Sequence, residues 1–169
     1  RGEAWSFIHE RQDLRFFIVT KRPDRFYASL PENWGDGYDN VYLCCTCENQ
    51  ALADERIPVF MSLPLKHYSL IFEPMLERVD IRRHLELYGD RISQVACGGE
   101  SGANARIFSA EWALDLRDQC IDYDVSFRFK QTGSAFEKDG RLYMIKRRDQ
   151  VAQASRAGID YRPENIFMP

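Results

Sequence analysis

Two charged residues, Glu73 and Lys130, each lie within an apolar stretch of sequence, in SLIFEPML and FRFKQ. A carboxylate or ammonium group withdrawn from water must find an oppositely charged partner or lose its charge. We therefore expect the two side chains to pair. The pair either serves the structure alone or holds and polarises a substrate, and in the second case Glu73 and Lys130 are the candidate catalytic residues.

Polar residues also follow the other apolar runs of the sequence. The runs cover residues 15–21, 41–47, 68–74, 93–99 and 125–131. In parallel α/β folds the carboxyl ends of the strands converge, and binding sites form there. We call the group of residues expected at this edge the mouth. Its members are Lys21, Arg22, Glu48, Asn49, Glu73, Gly98, Gly99, Glu100, Ser101, Arg106, Lys130 and Gln131.

A glycine-rich turn, CGGESG (97–102), directly follows the fourth run. Glycines let another chain or a ligand approach the backbone closely, and free N–H groups in such a turn bind anions. The turn lacks the lysine of a phosphate-binding P-loop and does not match G-x-G-x-x-G. It indicates a resting place for the backbone of an adenosyl or nucleotide ligand, with Arg106 close by to assist an anion.

The spacing of the runs predicts the fold. Their starts lie about 25–32 residues apart, which suits strand–helix units with buried parallel strands. The region after residue 48 predicts a helix that Pro58 breaks or kinks, Ser109 caps another helix, and FEKDGRLYMI predicts a hairpin followed by a helix over 149–157. A closed eight-stranded barrel needs about 250 residues. We therefore expect an open sheet or, preferably, a partial TIM-type (βα) barrel of about five strands over 1–133, with a hairpin and helix packed on it over 134–169.

Composition and cysteine usage bound the function. The net charge of −3 argues against a broad nucleic-acid footprint, and no apolar run or leader pattern indicates a membrane span or secretion. An odd count of five cysteines indicates reduced thiols and a cytoplasmic location. In a strand, Cys44 would face away from Cys45 and Cys47, so the three predict buried structural thiols and no metal site.

The strand-end strings carry a resemblance over Phe16 to Gly133. FFIVTKRPDRF, VYLCCTCENQ, SLIFEPML, CGGESGANAR, RDQC and FRFKQTG, in this order, resemble a phage-type family of uncharacterised proteins that often carries a three-cysteine motif near the N-terminus. That family looks like a divergent relative of radical S-adenosylmethionine enzymes. The resemblance implies a full or partial βα barrel, a [4Fe–4S] cluster held by the three cysteines, and S-adenosylmethionine along the strand ends.

Carried onto this chain, the resemblance implies roles for the residues of the mouth. Glu48, Gly98, Gly99, Glu100 and Ser101 would contact the cofactor, and the substrate rim would be Lys21, Arg22, Asn49, Arg106 and Gln131. The first cysteine here is Cys44, so we expect this chain by itself to lack the cluster and to be inactive. Because the sequence starts at Arg1 and not at Met, we expect either a processed protein or the C-terminal part of a longer one.

Three functions remain open on this evidence. The first is part of a radical-SAM-like enzyme that modifies nucleic acid. The second is a non-catalytic module that binds a nucleotide or a nucleic-acid strand at the mouth. The third is a protein-interaction domain that pairs through an open sheet edge, and the oligomeric state stays undefined.

Overall fold

The five predicted strands form one parallel sheet. The structure is a computed structural model and describes residues 2–164. The strands are β1 (Phe16–Thr20), β2 (Val41–Thr46), β3 (His67–Phe72), β4 (Ile92–Gly98) and β6 (Phe127–Gln131), and they lie in the order β1-β2-β3-β4-β6. Each pairs in parallel with its neighbour. The prediction of an α/β fold with parallel strands is confirmed. Strands β2, β3 and β4 are largely buried, as predicted, whereas β1 alternates between half-buried and exposed residues.

The helices are α1 (Gly2–Glu10), α2 (Pro23–Phe26), α3 (Gln50–Met61), α4 (Arg82–Tyr88), α5 (Ala110–Asp122) and α6 (Arg147–Ala157). Helices α2 to α5 connect these strands, while α1 precedes the sheet and α6 follows it in the chain. Because the strand order follows the chain order without reversal, right-handed crossovers place the connecting helices on one face of the sheet. The main hydrophobic core includes Leu43, Leu70, Val95 and Phe127, which alternate along the strands with residues of the opposite face.

The sheet does not close. Strands β1 and β6 are its two edges, and no closed barrel exists within the described residues. The opposite face of the sheet carries Cys44, Ile71 and Ala96, which are buried but lie outside the main core. The observed architecture is therefore a mixed α/β fold with a five-stranded parallel sheet, and the TIM-type comparison stays a prediction.

A second, small sheet joins the C-terminal extension to the main body. Strand β5 (Phe108–Ser109) pairs in parallel with β7 (Ala135–Lys138), which forms an antiparallel hairpin with β8 (Arg141–Met144). Asp139 and Gly140 both have positive φ, as the favoured two-residue hairpin turn requires. The predicted hairpin and helix are confirmed, and residues 165–169 of the predicted extension lie outside the described part.

Pro58 does not break its helix. The proline lies inside α3, which continues to Met61, so of the two predicted effects, a break or a kink, the break is wrong. Proline removes one backbone hydrogen bond from a helix interior. Ile57, Phe60 and Met61 are buried in the core, and their packing holds the last turn in place despite that loss.

Candidate functional site

Glu73 and Lys130 form the predicted pair. Glu73 directly follows β3, and its Oε2 accepts a hydrogen bond from Lys130 Nζ, while its Oε1 accepts one from Gln131 Nε2 at 2.5 Å. The Glu73 side chain is 19% exposed and that of Lys130 is 39% exposed. Both carboxylate oxygens are thus held by side chains of β6, and the pair remains open to solvent on one side.

A β-bulge in β6 aims Lys130 at this carboxylate. The register passes from Cys97 opposite Phe129 to Gly98 opposite Gln131, so Lys130 is the extra residue of the bulge. Bulges are rare between parallel strands and are found next to functional sites, where they redirect a side chain. Here the bulge also brings Gln131 to the same carboxylate as Lys130.

Gly98 makes room for this arrangement. A Cβ atom at Gly98 would lie 3.1 Å from both Gln131 Cγ and Glu73 Oε1. The glycine therefore allows the Glu73 carboxylate and the Gln131 side chain to meet over the end of β4. Gly99 is different, because its Cβ would lie 2.4 Å from the backbone oxygen of Thr132, so packing against the chain already requires a glycine there.

Glu48 is the centre of a second charged group. Its Oε1 contacts Lys21 Nζ at 2.5 Å and its Oε2 contacts Arg56 Nη1 at 2.8 Å. Burial opposes ionisation of Glu48, but the hydrogen bond from Lys21 and the charges of Lys21 and Arg56 outweigh it and hold the pKa below its usual value. Glu48 is therefore a carboxylate at neutral pH.

Glu100 and Arg106 form the third charged group. Arg106 donates to the carboxylate through Nε at 2.8 Å, Nη2 at 2.9 Å and its backbone N–H at 3.0 Å. These hydrogen bonds lower the pKa of Glu100 to about 2. The charge of Glu48 also favours the cationic form of Arg106, so the second and third groups are electrostatic neighbours.

Backbone hydrogen bonds join the strand ends at the mouth. The N–H of Met75 donates to Gly98 O and that of Leu76 donates to Glu48 O, both at 2.9 Å. The loop after β3 is thereby attached to the ends of β2 and β4. The prediction that these polar residues gather at one edge of the sheet agrees with this geometry, while their roles in binding or catalysis stay predictions.

Two predicted rim residues have local structural partners. Asn49 caps α3, and its Oδ1 accepts from the N–H of Leu52 at 2.9 Å. Arg22 lies 3.3 Å from Asp24 and lines a separate cavity of about 440 Å³ between α1, β1 and α2. The sequence did not predict these contacts, which use some of the hydrogen-bonding groups of Asn49 and Arg22.

The mouth continues into the C-terminal extension through residues that the sequence analysis missed. Ser101 Oγ donates to Gln150 Oε1 at 2.6 Å, and Gln150 Nε2 donates to Ser134 Oγ at 3.0 Å and Ile145 O at 3.1 Å. Gln150 is fully buried, as is Ala154 one turn later on α6. That spacing of four residues was the available signal for its inward direction. Arg56 was missed as well, because its pairing with Glu48 depends on the packing of α3.

The predicted burial of Cys44, Cys45 and Cys47 is confirmed, and all five cysteines are buried free thiols. Burial raises the pKa of Cys44 and, to about 12, that of Cys120. A hydrogen bond that the Cys47 thiol makes to Cys45, together with burial, raises the pKa of Cys47. Thiols with raised pKa values are poor nucleophiles and poor metal ligands. Among residues 2–164, no group of three or more His, Cys, Asp or Glu side chains could hold a metal ion.

Fold and site together define a mixed α/β protein with a polar, ion-paired site at the carboxyl edge of a parallel sheet. The model of the family described as "Protein of unknown function (DUF5131)" matches residues 1–162, and the chain belongs to this family. Searches of curated proteins and of solved structures found no match to the chain. No helix within the described residues is long and apolar enough to cross a membrane.

Proposed function

We propose that the mouth binds an adenosyl-containing small molecule, either S-adenosylmethionine or a nucleotide. The observation that carries the proposal is the bulge that aims Lys130 at Glu73. A structural ion pair needs no irregularity in the sheet, whereas a bulge beside a partly exposed carboxylate is typical of a binding site.

The donors and acceptors of the mouth suit such a ligand. A carboxylate at a strand end accepts hydrogen bonds from ribose hydroxyls in dinucleotide-binding folds, and Glu73 offers two oxygens in that position. Lys130 Nζ supplies a cation for a carboxylate or phosphate of the ligand. Ligand groups would replace Lys130 and Gln131 as hydrogen-bond partners of Glu73. Glu73 and Lys130 would then orient the ligand, and their side-chain atoms would hold or transfer a proton.

The two cofactors implied by the sequence resemblance differ in how well the described residues suit them. The mouth has the acceptor and cation that S-adenosylmethionine needs, and this molecule would supply the reactive carbon–sulfur bonds. A [4Fe–4S] cluster does not fit, because the cysteines are dispersed over buried strand and helix positions and form no ligand set within the described residues. The proposal that this chain is part of a radical-SAM-like enzyme that modifies nucleic acid therefore rests on the sequence resemblance.

Isothermal titration calorimetry tests this proposal directly. We expect the wild-type chain to bind S-adenosylmethionine or ATP, and Glu73→Gln and Lys130→Met each to weaken binding by about tenfold or more, since each removes a charge-assisted hydrogen bond. Lys66→Met is the matched control, because Lys66 pairs with Asp39 away from the strand ends. Equal affinities for the wild type and both mouth variants would contradict the proposal.

A second candidate function is self-association through β1. Phe17 is 65% exposed and Val19 is 59% exposed, and no strand within residues 2–164 pairs with the outer edge of β1. Uncovered edges of this kind pair with other chains, and a second copy would join it by two-fold symmetry. Light scattering should then show a dimer that Val19→Lys dissociates, and a wild-type monomer would exclude this function.

A further inference from the structure

A groove separate from the mouth lies between α5, the β7–β8 hairpin and α6. Its volume is about 790 Å³, and none of the predicted mouth residues lines it. The floor is apolar and the rim is basic, with Lys138, Lys146, Arg148 and Arg156 around it and Asp149 as the acidic member of the lining. We propose that this groove binds a single strand of nucleic acid.

Three of the four rim cations form no ion pair within the described residues. These three are Lys138, Lys146 and Arg156, whereas Arg148 lies 3.8 Å from its neighbour Asp149. At the mouth, by contrast, Lys21, Arg56, Arg106 and Lys130 are all paired with carboxylates. The chain carries a net charge of −3, yet residues 134–158 contain six basic and three acidic residues. This local excess of positive charge favours the binding of an anionic ligand.

Exposed aromatic and flexible side chains stand beside these cations. Tyr143 is 45% exposed and Met144 is 69% exposed, although both line the groove. Tyr143 lies opposite Phe136 in the hairpin, and Phe136 packs on Phe129 with ring centroids 6.2 Å apart. A cationic groove with an accessible aromatic ring is the arrangement with which proteins bind single strands, because every base can stack on the ring.

The spread of the cations favours a strand over a mononucleotide. Arg148 and Arg156 lie eight residues apart on α6, which is about 12 Å along the helix axis. One phosphate group cannot contact both, whereas successive phosphates of a strand can. The inference names single-stranded nucleic acid as the substrate class of the proposed function. It rests on that function only for the chemistry at the mouth, since the groove and the mouth use different residues.

Fluorescence anisotropy with a labelled oligothymidylate of about 12 nucleotides tests the groove. We expect the affinity to fall with salt on a slope of about −2 to −3 in log–log form, for three to four phosphate contacts. The double variant Lys138→Glu/Arg156→Glu should bind about tenfold or more weakly and with a flatter slope. Tyr143→Ala should weaken binding about fivefold or more, and Tyr143→Phe should restore it.

Controls separate this site from its alternatives. Lys66→Glu/Arg83→Glu makes the same charge change on other surfaces and should bind like the wild type. The inference is overturned if the wild type does not bind the oligonucleotide, or if both double variants lose affinity equally. It is also overturned if a labelled oligoglutamate of the same length binds as tightly and depends equally on Tyr143, since the occupant would then be an acidic peptide.

Discussion

Gln150 links the C-terminal extension to the mouth, and its replacement by leucine gives a stability prediction. The side chain is fully buried and makes hydrogen bonds with Ser101, Ser134 and Ile145 O. Each such bond contributes about 1 kcal/mol net. In the variant, Ser101 Oγ can still donate to Gln131 Oε1, which lies 3.2 Å away. Burial of the leucine side chain offsets part of the lost stability. We therefore expect Gln150→Leu to lower the free energy of unfolding by about 2 kcal/mol.

Urea and thermal unfolding measure this effect. For a chain of this length, about 2 kcal/mol lowers Tm by roughly 4–8 °C. Gln153→Leu is the matched control, because Gln153 lies exposed on the same helix, and its effect should stay within about 0.5 kcal/mol. If the two variants have equal stability, the hydrogen bonds of Gln150 do not hold the extension to the body, and the reasoning is refuted.

Three further predictions concern the mouth and the core. Gly99→Ala should destabilise the chain by about 3 kcal/mol in urea unfolding, because the new Cβ would lie 2.4 Å from the Thr132 backbone oxygen. Gly98→Ala should cost less, since its nearest contacts are side-chain atoms at 3.1 Å, and equal losses would contradict this. Carbon-detected NMR titration should give Glu100 a pKa of about 2, which Arg106→Ala raises. Protonating Glu100 thus removes its contribution to stability as pH falls from its ordinary value toward 2, and an unshifted titration would refute the pairing. The five buried thiols should react with a thiol reagent only after unfolding, and fast native labelling would show that the cysteines are not structural.

The strands and the hairpin could be predicted from local sequence alone. Runs such as VYLCCTC are apolar on both faces, as buried parallel strands must be, and the Asp139–Gly140 pair fits the turn that a hairpin demands. Strand β5 has two residues and leaves no periodic signal. Pro58 predicted a break or a kink, and the helix is not broken there because tertiary packing compensates the lost hydrogen bond. Whether five parallel strands close into a barrel depends on long-range geometry, which a local sequence pattern does not predict.

The site residues that could be predicted are charged residues that lie within apolar stretches of sequence. Glu73 and Lys130 stand out in the sequence for this reason, and the structure pairs them. The bulge that brings them together depends on the register between β4 and β6, which spacing along the chain does not show. Arg56 and Gln150 were missed because each is an ordinary polar helix residue until the fold gives it a partner.

Photo-crosslinking with 8-azido-ATP, followed by mass spectrometry of the labelled peptides, tests most directly where an adenosyl ligand binds. The mouth predicts labels on peptides that contain Glu73, residues 97–102 or Lys130, which excess S-adenosylmethionine or ATP suppresses and Lys130→Met abolishes. Labels confined to the hairpin and α6, or labels that neither competitor suppresses, would contradict the assignment of the ligand to the carboxyl edge of the sheet.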